Sequence, residues 1–380
     1  MRALYLVCGG TALIALTLAG LGGWMLSLPA ATSTADAPPA PQAEADAILA
    51  SLKPRTPRRP LVAVVGINDA TETTDYLMPT GILRRADVAD VVMLATGEGP
   101  VQLFPALRVV ADATLAEFDR AHPEGADYVI VPAMSRDDDP AALGWLIAQA
   151  KKGARIIGVC AGAKVLASAG LLRGKRATTH WYYRREMLKR DPTIEYVADR
   201  RMVADGAVAT TTGITASMPM MLTLIEAIAG RARANAVAAD LGLATWDARH
   251  RSDAFQLTRP FAATVLANRL AFWSRERLGV RLEEGFDEVS VALVADAWSR
   301  TYRSRGVTYA GSGGAVGSRN GVQIIPDVTS ADWPQERRAS AAGPPAEVLD
   351  RTLAAIKARY GDPTANVVAM QLEYPRSEAE

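Results

Sequence analysis

"IIGVCAGAKVLASAGLL", residues 156–172, is the stretch on which the fold turns. A β-branched apolar run ends at Val159, helix formers begin at Ala161, and Cys160 stands at the junction between Gly158 and Gly162. Upstream, "LVAVVGI" from Leu61, "VVMLAT" from Val91 and "YVIVPA" from Tyr128 alternate with helical stretches such as residues 75–86 and "AALGWLIAQAKKG". Short β-branched strands separated by helices predict an α/β fold, a parallel sheet sandwiched by helices. Sites in such sheets open at the carboxyl ends of strands, and Cys160 falls at one.

A nucleophile on a tight strand-to-helix turn needs small neighbours, which Gly158 and Gly162 supply. The helix that follows would place the sulfur at its N-terminus, where the dipole and free amides favour thiolate, and the Ala161 N–H would face a developing oxyanion. The spacing alone leaves a buried, inert cysteine equally open.

The rest of the composition narrows the function classes. The 380 residues carry 42 basic and 41 acidic side chains, so no broad basic face is demanded and no nucleic-acid partner is expected. Two cysteines, Cys8 and Cys160, and three histidines, His122, His180 and His250, are too few and too scattered for a structural zinc site, so neither metal nor cofactor is expected. No charged residue occurs between Arg2 and Asp36, a run long enough to span a bilayer. It predicts a single-pass membrane anchor with the body outside the cytoplasm, in the periplasm. Cleavage near "LPAAT" and secretion is the alternative.

Residues 31–60, rich in Ala, Pro and small polar residues, read as a disordered linker. Farther on there is an internal echo. "VVMLATGEGPVQLFPALRVVADATLAEF" (91–118) resembles "VTYAGSGGAVGSRNGVQIIPDVTSADW" (307–333), with Val101 and Asp112 spaced as Val316 and Asp327 are. The later copy has no cysteine junction. Between them, "FAATVLANRLAFWSRERL" reads as a helix whose apolar stripe packs on a domain.

The segments "GVCAGAKVLASAGLLRGKRATTHW", "RVVADATLAEF" and "AVATTTGITASMPMMLTLIEAIAG" together resemble the DJ-1/PfpI superfamily, including isonitrile hydratases and the N-terminal domains of AraC-type regulators. The resemblance implies a flavodoxin-like domain over 61–230. Around it stand an anchor or signal segment (1–30), the linker (31–60), a helical connector (231–283) and a partial second unit of the same fold (284–380). It pairs Cys160 with an acidic residue: Asp75, with Glu72 as runner-up. A protonated carboxyl there would hydrogen-bond the thiolate and trade protons with substrate. The other reading of Asp75 is a helix N-cap, and of Glu72 a solvated loop residue. His180, in "TTHW", matches a histidine near the pocket, as proton shuttle or as a strand-end cap.

Departures from the family are informative. Ala161 stands where the peptidase branch has histidine, which argues against peptidase activity, and where hydratases have threonine. Where the family reads Pro-Gly-Gly, this chain reads Pro132-Ala133-Met134, so Met134 would reshape the oxyanion site. The expected activity is cysteine-dependent hydration or hydrolysis of a small electrophilic molecule. Alternatives are a non-catalytic small-molecule sensor or a cysteine redox sensor. The resemblance also implies pairing as a homodimer.

Overall fold

A computed structural model describes residues 17, 19–30 and 37–375 of the chain. Seven strands build the main sheet: β1 Leu61–Gly66, β2 Asp90–Ala95, β3 Ala113–Thr114, β4 Tyr128–Val131, β5 Arg155–Gly158, β6 Met202–Asp205 and β7 Val208–Thr211. Their order across the sheet is β6-β7-β5-β4-β1-β2-β3, all parallel except the β6–β7 pair. The expected α/β architecture with a parallel sheet and covering helices is therefore present.

The period of two along β1 explains the burial of both faces. Val62 and Val64 enter one apolar core and Leu61, Ala63 and Val65 the other. The first core is closed by α1 (Thr73–Ala86) and the second by α2 (Pro140–Lys151) and α3 (Gly162–Ser168). Helix α4 (Ser217–Ala229) also packs on the first face, through Met220, Met221 and Leu224. The β5–α3 turn at the carboxyl edge is where Cys160 sits.

The chain then continues through α5 (Arg259–Leu270) into a second sheet. Strand β8 (Glu276–Arg281) pairs in parallel with β9 (Ser304–Ala310), flanked by the short strands Val328–Thr329 and Arg338–Ala339. Helix α6 (Glu288–Ser299) lies between β8 and β9 in sequence and packs directly on α1. Gly81 makes that approach feasible, because a Cβ there would stand 2.2 Å from Glu288 Oε1. Helices α7 (Pro345–Tyr360) and α8 (Asp362–Leu372) finish the chain.

Several expectations are corrected. Residues 42–52 of the supposed disordered linker form the helix Gln42–Leu52. Ile48 and Leu52, four residues apart, are buried against the domain, and the Tyr128 hydroxyl donates to the Leu52 carbonyl at 2.6 Å. The supposed helical connector contains β8, whose alternation of apolar and charged residues was masked by its arginines. In "SRDDD" (135–139), a run of three carboxylates of the kind that ordinarily faces solvent, Asp137 and Asp139 are buried. Asp139 caps α2, and Asp137 is paired with Arg190 at 2.8 Å.

Among the described residues no helix is long and apolar enough to cross a membrane. Most of the expected anchor, residues 1–16 and 18, lies outside the described residues. The helical residues 19–27 end against α5, where the Arg259 guanidinium donates to the carbonyls of Leu26 and Leu28.

Candidate functional site

Cys160 has a φ of 56°, a left-handed conformation that costs a non-glycine residue roughly 1–2 kcal/mol. Two threonines hold the turn from either side. The Cys160 N–H donates to Thr211 Oγ1 at 3.1 Å, and the Thr179 hydroxyl donates to the Cys160 carbonyl at 3.0 Å. Gly162 is required by the turn's closeness to β4: a Cβ there would lie 1.9 Å from the Val131 carbonyl oxygen. The tight strand-to-helix turn expected from the sequence is thus present, with Cys160 at its tip.

The thiolate expectation is not met. Cys160 is only 4% exposed, and burial, with the negative charges of Asp75 and Glu72 next in weight, pushes its thiol well above the ordinary range. The Ala161 amide at the start of α3 works the other way, toward thiolate, but this is the smaller effect. An accessible, low-pKa thiol, the premise of a redox sensor, is absent.

Asp75 lies behind the cysteine, fully buried in the first turn of α1. Its Oδ2 accepts from the Ala133 N–H at 3.1 Å, so the Pro132-Ala133-Met134 loop serves the acid directly. Oδ1 makes no complete hydrogen bond, yet the carboxyl and the thiol are close enough to alter each other's proton binding. Burial raises the Asp75 carboxyl to about 7, against the lowering effects of the Ala133 amide and Arg300.

Glu72, expected as a solvated loop residue, is buried, and it rather than Asp75 caps α1. Its Oε2 accepts from the Asp75 N–H at 2.6 Å and the Thr74 hydroxyl at 2.8 Å. Its Oε1 accepts from Arg300 at 2.7 Å. Arg300, which the sequence reading missed, comes from just beyond α6. It also reaches Asp296 at 2.6 Å. Two buried carboxyls, Glu72 and Asp296, therefore share one guanidinium, whose charge also acts on the buried Asp75. Burial drives all three upward, and the Arg300 charge opposes that rise at each of them.

His180 is buried beside the same cavity, and both of its ring nitrogens are engaged by backbone. Nδ1 accepts from the Tyr182 N–H at 3.2 Å, which leaves Nε2 to donate to the Gln371 carbonyl at 3.0 Å. Burial lowers its basicity, so it is held neutral as a cap and not free to carry a proton. His250 is buried too. It stacks on Phe255 and lies 3.4 Å from Glu373.

These groups border a cavity of about 800 Å³. Cys160, Glu72, Met134, His180 and Arg300 line it, whereas Asp75, Ala161 and Gly162 lie outside the lining. Its outer wall is apolar: Phe261, Val265 and Leu266 of α5, with Leu21 and Trp24. The exposed side of α5 shows why a stripe expected only to pack on a domain also bounds a site. Among the described residues no cluster of three His, Cys, Asp or Glu side chains is arranged to hold a metal.

Residues 62–227 match the DJ-1/PfpI family. The chain is 40% identical over 94 residues to the isonitrile hydratase of Pseudomonas putida, a match covering 24% of this chain and only 40% of that protein. It is 29% identical over 185 residues to the Parkinson disease protein 7 homolog of Danio rerio, covering 47% of this chain and 95% of that one. Among solved structures, a DJ-1 superfamily protein of Salmonella typhimurium is 26% identical, with a TM-score of 0.44, covering 49% of this chain and all of that one.

Proposed function

Residues 62–227 are a DJ-1/PfpI family domain, and on that premise we propose that the protein uses Cys160 to hydrate or hydrolyse a small electrophilic molecule. The observation that carries the reading is the buried Asp75 carboxyl, raised to about 7 and close against a cysteine that lines a cavity. Near neutral pH such a carboxyl can both take and return a proton. The similarity to an isonitrile hydratase suggests an isonitrile as a first substrate.

In this reading ionised Asp75 removes the thiol proton as sulfur attacks the terminal isonitrile carbon. A C–S bond forms, and the proton passes to that carbon to give a thioimidate. Water then adds to the same carbon and gives a proton to nitrogen. The C–S bond breaks, the sulfur recovers its proton, and a formamide leaves. The Ala161 amide, which favours negative charge on the sulfur, would stabilise charge during attack. His180 positions the wall and carries no proton. The N-terminal apolar run is kept as a membrane anchor. Leu270, Phe272 and Trp273, at and just beyond the end of α5, are exposed apolar side chains of the kind a membrane boundary would cover.

The test is turnover of a panel of isonitriles and reactive aldehydes. Wild type should convert at least one, with a rate that rises with pH through about 7 as Asp75 ionises. Cys160→Ser and Asp75→Asn should each lose on the order of a hundredfold or more. Equal turnover by Cys160→Ser would end the proposal. One observation favours a second reading, a non-catalytic sensor: the deep burial of Cys160 with its thiol held protonated. Tight binding without turnover by wild type would select it.

A further inference from the structure

The main sheet and the four-stranded sheet that follows it are related by one constant offset. Adding 215 to the numbers of β1 (61–66) gives those of β8 (276–281), and adding it to the start of α1, Thr73, gives the start of α6, Glu288. The helix caps correspond as well, Glu72 to Asp287. Asp112 Oδ2 accepts from the Met93 N–H at 2.6 Å, and its counterpart Asp327 Oδ2 accepts from the Thr308 N–H at 2.8 Å. The β2–β3 pair Leu94–Ala113 has its image in Tyr309–Val328.

The contacts between the halves obey the same rule, and this shows how the halves are arranged. Arg300 binds Glu72, while Arg85, its counterpart, binds Asp287. Exchanging the halves turns one ion pair into the other. The hairpin strands Arg108–Val110 and Gln323–Ile324 meet antiparallel, with Val109 opposite Ile324, a pair that is its own image. Gln323 lies opposite Val110, and its image is the bond from the Ile325 N–H to the Arg108 carbonyl at 2.8 Å. Contacts in which residue i meets j while the image of j meets the image of i are the signature of a two-fold, isologous interface. Here both sides of that interface belong to one chain.

The second half is incomplete. Its sheet has four strands, two of them only two residues long, and it carries no cysteine turn. Only one of the two symmetric arginines therefore faces a site: Arg300 lines the cavity with Cys160, and Arg85 does not. The arginine that neutralises the acids behind Cys160 comes from the half that has no site of its own.

We propose that residues 276–333 act as a built-in symmetry partner, filling the face on α1 that a second copy would otherwise take, and that Arg300 is a positioning residue for the Cys160–Asp75 pair, whereas its image Arg85 is structural. This holds whichever electrophile the site uses. By pairing with Glu72 and Asp296, Arg300 confines the exchangeable proton to Asp75 and Cys160.

The test uses the full chain in mild detergent, with the pH dependence of Cys160 alkylation by iodoacetamide as readout and light scattering for the protein mass. Arg300→Met and Arg85→Met each break one of two equivalent ion pairs, so a purely structural role would affect both alike. The expected result is an alkylation midpoint moved to higher pH in Arg300→Met by about one unit or more, little movement in Arg85→Met, and substantial restoration in Arg300→Lys. If Arg300→Met fails to fold, Arg300→Gln against Arg85→Gln gives the same comparison, with the charge removed and a polar side chain kept. The expected mass is that of one chain. Equal shifts in both arginine variants, or none in either, would overturn the positioning role. A dimer that dissociates on substitution at Gly81 would overturn the built-in partner.

Discussion

Asp75→Asn isolates the electrostatics of the site at small steric cost. Asparagine retains an acceptor for the Ala133 N–H, which donates to Asp75 Oδ2 at 3.1 Å, and removes the titrating proton. The carboxyl stands at about 7 in the fold against 3.8 for the free group. Each unit of that separation corresponds to about 1.4 kcal/mol, so the whole gap is worth about 4 kcal/mol. Because the folded value lies above the unfolded one, the native state binds more protons than the unfolded chain between the two values. This contribution is fully present below about 4 and is lost as pH rises through about 7. Asparagine has no such loss. Chemical unfolding of both proteins at about pH 5 and pH 8 should show the variant gaining about 3 kcal/mol on wild type across that interval, since roughly two units of the gap lie between pH 5 and 7. Glu72 is present in both proteins, so its own titration largely subtracts. A stability difference that stays flat from pH 5 to pH 8 would show that burial does not hold Asp75 protonated, and the base assigned to the reaction would fall with it.

Other consequences follow from the same geometry. Cys160 should be alkylated slowly at neutral pH relative to a free thiol and faster in alkali; rapid neutral labelling, followed by intact-protein mass, would contradict the upward push on its thiol. Gly162→Ala should destabilise by about 1–3 kcal/mol through the clash with the Val131 carbonyl and reduce Cys160-dependent turnover further than stability alone explains; unchanged melting would refute the close approach. Thr211→Val should cost about 1–2 kcal/mol, because the Cys160 N–H loses its buried acceptor in a strained turn. Gly81→Val should loosen α6 from α1, seen as faster hydrogen exchange in both helices while β4 and β5 stay protected.

What the sequence made legible follows the range of the interactions involved. The Cys160 turn is local: a β-branched run, two glycines and a helical run lie within a dozen residues, and steric crowding acts on those residues alone. The sheet was legible for the same reason, since β1, β2, β4 and β5 are continuous apolar runs. Glu72 was misread because its burial depends on Arg300, 228 residues away, and no local pattern reports such a partner. The sequence left His180 between shuttle and cap because the carbonyl that decides it belongs to Gln371, at the far end of the chain. Asp137 and Asp139 look solvated in a run of three carboxylates until Arg190 and the α2 N-terminus are folded against them. The echo between residues 91–118 and 307–333 was the one long-range signal in the sequence. It pointed to the half that supplies Arg300, although not to the residue.

The charge balance around Cys160 explains why this arrangement needs the second half at all. A thiol and three carboxyls buried together could not all ionise, since desolvating each charge without a partner costs several kcal/mol. With no cation they would all stay protonated, and Asp75 would have no reason to accept a proton from sulfur near neutral pH. Arg300 binds Glu72 and Asp296 and lowers the cost of negative charge on Asp75 as well. That brings Asp75 into the neutral range while leaving the thiol protonated until a substrate arrives. A symmetric pair of complete domains would supply such an arginine to each site in turn. This chain keeps one site and the half of its partner that carries the arginine, so the C-terminal sheet can have lost its own cysteine turn without the remaining site losing its cation.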